Sequence, residues 1–350
     1  MDKSVLDQNL QSFLDFFYRW ERERADSVFL RQPFGKAWLE ITYAEAGQMA
    51  RRMCAALQKL GLQPGDHIGL LSKNCYHWII ADLAIMMGRF VSVPFYASLP
   101  KEQLAEVIQL SDIKAIFIGK LDQWGDRQEA VPANLQVIRF PHYQGNASID
   151  IGYEWDTLME ANTPIVGEPQ PALDDLWTIL FTSGTTGTPK GVMHSYRNPA
   201  TVLRIEELTN FNGALQMQQH KWFSFLPLNH VAERIGVEAN CLANGGSISF
   251  AESIDTFAAN IRSVQPSFIF AVPRIWTKFY QGVTDRLPAP LLKRLFKIPL
   301  LGALLKKLIR KAMGLSDIEI AGTGAAITPA YLKEWYQELG IHLVEAYGMT

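Results

Sequence analysis

The chain has 350 residues, of which 48% are hydrophobic and 19% charged, with 33 Lys plus Arg set against 35 Asp plus Glu. That balance is globular and excludes collagen-like, coiled-coil and disordered chains, and a formal net charge of −2 gives no overall electrostatic case for nucleic acid. The three cysteines, Cys54, Cys75 and Cys241, form no CxxC pair; this argues against a disulfide scaffold and a cysteine-rich metal site and fits a reducing cytoplasm.

The first ten residues, MDKSVLDQNL, hold no apolar core of signal-peptide length, and no run of ~20 uncharged apolar residues marks a membrane span. Leu10 to Arg24 is a candidate helix. In Thr42 to Leu60, Tyr43, Ala46, Ala50, Met53 and Leu57 recur at helical spacing, and Gly61 with Pro64-Gly65-Asp66 ends the helix in a turn. Then come a strand at His67 to Leu71, a helix at Tyr76 to Met87, a strand at Phe90 to Pro94, a helix at Lys101 to Leu110 and a strand at Ala115 to Ile118. Strands alternating with helices imply βαβ units and parallel sheets. Residues 119–173 are irregular, and Pro164, Pro169 and Pro171 suggest a lobe boundary.

A second series follows. Strands are expected at Trp177 to Phe181, Lys221 to Leu226, Ser247 to Phe250, Phe268 to Val272, Ile318 to Ala321 and Leu343 to Ala346. Helices are expected at Val231 to Leu242, Ile254 to Val264 and Pro329 to Leu339. The fold class is therefore α/β, two doubly wound lobes with mainly parallel sheets, residues 1–173 and 174–350.

The most informative stretch is Thr178 to Tyr196, TILFTSGTTGTPKGVMHSY. An apolar strand enters Thr182, Ser183, Gly184, Thr185, Thr186, Gly187, Thr188, Pro189, Lys190 and Gly191. Glycines let the backbone approach a ligand closely, successive N–H groups make a nest for anionic oxygens, and five hydroxyls and one ammonium add donors. The groups suit a polyphosphate. This is not a Walker A loop, which needs Gly-Lys-Ser/Thr in succession, and no dinucleotide GxGxxG is present. A flexible Ser/Thr/Gly surface loop is the bland alternative.

This loop resembles the YTSGTTGxPKGV signature of the adenylate-forming superfamily (acyl-CoA synthetases, nonribosomal-peptide adenylation domains and luciferases), with Phe181 in place of the tyrosine. Phe223 to Arg234, FSFLPLNHVAER, and Val272 to Tyr280, VPRIWTKFY, resemble blocks of its long-chain acyl-CoA synthetase branch. Gly324-Ala325-Ala326 resembles the strand end that lies along adenine, and Tyr347-Gly348-Met349-Thr350 resembles the YGxTE motif. The likeness covers the chain from about Thr42 onward.

The resemblance implies a ligase that joins a long-chain fatty acid to CoA through an acyl-adenylate, with ATP, Mg²⁺ and CoA. By it, Thr182 to Thr188 and Lys190 cradle the phosphates, with Lys190 and Thr350 in the chemistry. Gly324, Ala325, Ala326, Glu345, Tyr347 and Gly348 join the nucleotide site, and His230 borders the acyl pocket. No metal ligand is nominated, because the motif's glutamate, the ribose-binding aspartate and the C-terminal domain with its lysine would follow Thr350. The expectation is an N-terminal portion with little activity alone. Another acid or a carrier-protein acceptor, and a non-catalytic nucleotide- or lipid-binding fragment, are the alternatives.

Other residues stay open on sequence alone. Read without the block resemblance, His230 is a core histidine. Glu233 and Arg234 read as a surface ion pair. Trp222, Phe223, Phe225, Trp276, Phe279 and Tyr280 read as core before acyl tunnel, and His194 either flanks the phosphates or begins the next helix. Leu291 to Leu315, LLKRLFKIPLLGALLKKLIRKAMGL, carries seven basic and no acidic residues. It reads as an interfacial helix pair on an anionic membrane, a helical insertion with a solvated basic face, or a receiver of CoA phosphates. With one aromatic, Phe296, among its basic residues, it fits a nucleic-acid site poorly.

Overall fold

The computed structural model describes residues 3–182, 188–211 and 213–350. In chain order its strands are β1 (Val28–Phe34), β2 (Ala37–Thr42), β3 (His67–Ser72), β4 (Val91–Phe95), β5 (Ile113–Gly119), β6 (Gln136–Arg139) and β7 (Tyr153–Glu154). These are followed by β8 (Leu176–Thr182), β9 (Lys190–Ser195), β10 (Lys221–Ser224), β11 (Ser247–Phe250), β12 (Phe268–Ala271), β13 (Ile320–Gly324) and β14 (Leu343–Ala346). Among the described residues they form two sheets, I in the order β7-β6-β5-β3-β4-β8-β9 and II in the order β14-β13-β12-β10-β11-β1-β2. Each is parallel except at one edge, where β9 pairs antiparallel with β8 and β2 with β1. The α/β class and the parallel sheets agree with the sequence.

Local signals set the helices. Thr42 caps the helix Tyr43–Lys59 by a reciprocal bond with Glu45, satisfying amides that the first turn leaves open. Tyr76–Met87 is apolar on all sides, and every residue from His77 to Met87 is buried, as a helix without a polar face must be. Its Trp78, Ile80 and Leu83 share one core with Leu70 and Phe117 of sheet I and Trp222 and Ile248 of sheet II. That helix layer joins the two sheets.

Sheet membership cuts across the expected split at residue 173. β1 and β2 lie before that point yet close the edge of sheet II, β1 running parallel to β11. β8 and β9 lie after it yet close the edge of sheet I, where Thr178 is level with Ser92 of β4 and its hydroxyl donates to the Ser92 carbonyl at 2.8 Å. β1 and β2 were not expected from sequence. Pro33 interrupts the run, and Pro is tolerated near an edge where its missing N–H costs nothing; the hairpin turns at Gly35, φ +62°. β9 begins at Lys190 and Gly191, the end of the Gly/Thr loop in the sequence.

Candidate functional site

Because β3, β4, β5 and β8 are mutually parallel, their carboxyl ends face one way, as do those of β10, β12, β13 and β14 in sheet II. In open α/β sheets ligands bind outside such ends. Here the two carboxyl edges are tied together. Asn74, just past β3, donates through Nδ2 to Ser224 Oγ at 2.8 Å and to the Leu226 carbonyl at 2.6 Å, and its Oδ1 accepts from Leu228 N at 3.1 Å. Lys120, just past β5, donates to the carbonyls of Asn74 (2.8 Å) and Ala251 (2.9 Å), and burial lowers its pKa to about 8. Tyr96, past β4, hydrogen-bonds Asn229.

The sequence-nominated phosphate residues sit on the β8–β9 hairpin. Thr182 is level with Lys190, and Phe181 with Gly191. Thr188 and Lys190 are exposed. Ser183, Gly184, Thr185, Thr186 and Gly187 lie outside the described residues. Gly191 is needed here: a Cβ would meet Ile179 Cγ2 at 2.8 Å. His194 lies within β9 rather than at a helix start, since the helix begins at Arg197.

The adenine candidates occupy the end of sheet II. Gly324 closes β13 beside Ala346 of β14, and a Cβ there would lie 2.7 Å from the Ala346 carbonyl oxygen and 2.9 Å from the Phe270 ring. Ala325 follows at φ +65°, so the chain turns sharply and leaves Ala325 and Ala326 exposed. Tyr347 and Gly348 follow β14, and the Tyr347 side chain is 91% exposed, an aromatic face with no protein covering. The close packing at Gly324, the sharp turn at Ala325 and the uncovered Tyr347 ring thus lie at one end of sheet II. Thr350 is half-buried on the same segment. Glu345 is already engaged: its carboxylate accepts from Lys333 Nζ at 2.9 Å and Thr328 N at 3.0 Å, which hold its pKa below the usual range.

His230 ends the turn after β10, on the same edge of sheet II. Its Nδ1 accepts from Ala232 N at 3.1 Å, leaving Nε2 to carry the proton, and burial lowers its pKa, so the ring is neutral at pH 7. Trp222, Phe223 and Trp276 are core, whereas Phe225, Phe279 and Tyr280 are partly buried.

Glu233 and Arg234 are not a surface ion pair: both are buried and they face different partners. Glu233 Oε1 accepts from Ser224 Oγ at 2.7 Å and Phe225 N at 3.0 Å, fastening the His230 turn to β10. Burial outweighs those bonds and raises its pKa to about 8. Arg234 bonds Asp82, Glu238 (3.2 Å) and Thr178 Oγ1 (2.9 Å) and lies 4.1 Å over the Trp177 ring. One cation thus faces two carboxylates, and burial with the Asp82 charge raises Glu238 to about 8 despite Arg234. Residues Arg234–Ala239 form a π-helical turn. Sequence reasoning missed this cluster; a charged pair inside an apolar helix after FSFLPL was the available signal.

Among the described residues no three His, Cys, Asp or Glu side chains converge as a metal site, so these residues do not by themselves assemble a Mg²⁺ site. A cleft of about 300 Å³, lined by Lys120, Arg139, His142 and Tyr143 among others, contains none of the nominated residues.

Known proteins bear on this geometry. The chain is 26% identical to the long-chain-fatty-acid–CoA ligase ACSBG2 of Rattus norvegicus, over 90% of this chain and 53% of that protein. It is 26% identical to long chain acyl-CoA synthetase 2 of Arabidopsis thaliana, over 89% of this chain and 51% of that protein. The chain thus spans about half the length of these relatives. Among solved structures, the adenylation domain of a carboxylate reductase from Mycobacterium chelonae matches with a TM-score of 0.81 at 19% identity, over 99% of this chain and 59% of that one. The corresponding domain from Segniliparus rugosus, in complex with AMP and a co-purified carboxylic acid, matches at 0.78 and 20% identity, over 100% and 62%. Both matches show the same fold. The family model for the AMP-binding enzyme matches residues 17–350, and the chain belongs to that family.

Proposed function

We propose that this chain is the nucleotide- and acid-binding portion of an AMP-forming long-chain fatty acid–CoA ligase. The observation that carries the reading is the naming of its curated relatives, matched over about nine-tenths of the chain as long-chain fatty acid–CoA ligase and long chain acyl-CoA synthetase. The intact Thr182–Gly191 signature at the end of β8 supports it.

In the first step a carboxylate oxygen attacks the α-phosphorus of ATP. The P–O bond to the β-phosphate breaks, giving acyl-adenylate and pyrophosphate. In the second the CoA thiol, losing its proton, attacks the acyl carbon and AMP leaves. The acid is activated by substrate, so no protein nucleophile is required. The β8–β9 loop holds the polyphosphate, and the Lys190 ammonium offsets charge moving onto pyrophosphate. Gly324, Ala325 and Ala326 make the ledge for adenine, and Tyr347 stacks on it. Thr350 meets the α-phosphate, and neutral His230 borders the acyl chain without placing a charge there. ATP enters as its Mg²⁺ complex. We place the enzyme in the cytoplasm, where buried free Cys54, Cys75 and Cys241 stay reduced.

The test is thioester formation from palmitate or benzoate, with CoA or a carrier protein as acceptor, by the protein that contains this chain. Palmitoyl-CoA is the expected product. Exposed Lys190→Ala is expected to cost at least ~100-fold in kcat with an unchanged unfolding midpoint. Product from benzoate alone, or only on the carrier protein, overturns the fatty acid–CoA reading; an unaffected K190A rate overturns the role of the loop.

A further inference from the structure

Residues 289–313 form a helical hairpin, Ala289–Leu295 and Leu301–Met313. The connection folds back so tightly that a Cβ on Gly302 would fall 2.4 Å from the carbonyl oxygen of Phe296, just past the first helix. At 3.6 residues per turn, Gly302, Ile309 and Met313 share one side of the second helix, and all three are buried. Leu301, Leu304 and Leu308 share another side and are exposed, Leu304 at 55% and Leu308 at 53%. Lys307 and Lys311 fall on the flank beside the leucines and are also exposed. The helix therefore has an apolar stripe facing the body of the protein and a second one facing away, edged by cations.

The tip adds an independent observation. Leu301 N donates to the Pro299 carbonyl at 2.7 Å, and Leu300 between them has φ +64° and ψ −54°. This is a γ-turn of the rare, strained hand, a conformation that glycine adopts without strain. The residue is nevertheless a leucine, and its side chain is 88% exposed. Neither the turn nor the core gives it a reason to be apolar. Strain held at an exposed position points to use rather than to packing. In a chain of formal net charge −2, the Leu291 to Leu315 segment holds seven basic residues and no acidic one.

We propose that this hairpin docks on an anionic lipid bilayer, inserting Leu300 at the tip and the Leu301, Leu304 and Leu308 stripe into the headgroup boundary while Lys307 and Lys311 meet lipid phosphates. An outward apolar stripe bordered by lysines is the arrangement of an interfacial helix, and the acid-free segment complements an anionic surface. A soluble anion such as the CoA phosphates would use the lysines and leave the leucines without a partner. The inference does not depend on the acyl-CoA reading, since it concerns binding and not turnover.

The experiment is co-sedimentation of the protein with phosphatidylcholine vesicles, with and without phosphatidylglycerol, at low and high salt. Binding to the phosphatidylglycerol vesicles at low salt, weakened by salt, is expected. Lys307→Ala with Lys311→Ala is expected to lower partitioning about 25-fold. Leu300→Gly is expected to lower it about tenfold while the unfolding midpoint stays level or rises, because glycine relieves the turn. Vesicle binding unchanged by L300G overturns the proposal. So does full competition by free CoA, or a dimer in sedimentation velocity that L300G abolishes.

Discussion

Glu233 makes the fold's stability depend on pH in a direction that can be worked out. Its Oε1 accepts from Ser224 Oγ and Phe225 N, bonds that favour the carboxylate, yet complete burial wins and raises the pKa from 4.5 to about 8. In the unfolded chain the group titrates near 4.5. Between these values the native state holds a proton that the unfolded state has lost, so unfolding releases one proton and stability falls by about 1.4 kcal/mol per pH unit. This contribution is complete below pH 4.5 and is lost as pH rises through 8, a total on the order of 5 kcal/mol. Glu233→Gln copies the shape of the neutral acid, keeps an oxygen for Ser224 and Phe225, and cannot titrate. Relative to wild type, E233Q is expected to gain about 3 kcal/mol between about pH 5.5 and pH 7.5, measured by urea unfolding at each pH. Glu238, also raised to about 8, contributes to both proteins and cancels in the difference. Parallel stability curves for the two proteins would refute the reasoning. Glu233→Ala, which leaves those donors unpaired, is expected to be less stable at every pH.

Asp82→Asn removes a carboxylate from fully buried Arg234. A loss of roughly 3–5 kcal/mol is expected in the same urea assay, and a change under ~1 kcal/mol would mean that Glu238 alone can hold the cation. Tyr347→Ala removes an exposed ring. Stability is expected to stay within ~0.5 kcal/mol, while AMP affinity falls by about 1–3 kcal/mol in titration calorimetry; an unchanged Kd would remove Tyr347 from the adenine site.

The parts legible in the sequence are those set by neighbours along the chain. The helix Tyr43–Lys59 follows from the Thr42–Glu45 cap and its apolar spacing, and Tyr76–Met87 from a continuous apolar run. The Gly/Thr motif is legible because it is contiguous: ten consecutive residues, Thr182 to Gly191, carry the family resemblance without any tertiary contact. What the tertiary structure decided is which surfaces meet. β1 and β2 cross to sheet II and β8 and β9 to sheet I, since strand pairing joins residues far apart in sequence and a local pattern does not name the partner. Glu233 and Arg234 look like any helical ion pair until helix Tyr76–Met87 supplies Asp82 and β8 supplies Thr178 and Trp177. The same amphipathic spacing that buries Ile309 leaves Leu304 and Leu308 outside, because periodicity tells how many faces a helix has and only packing decides which of them is covered.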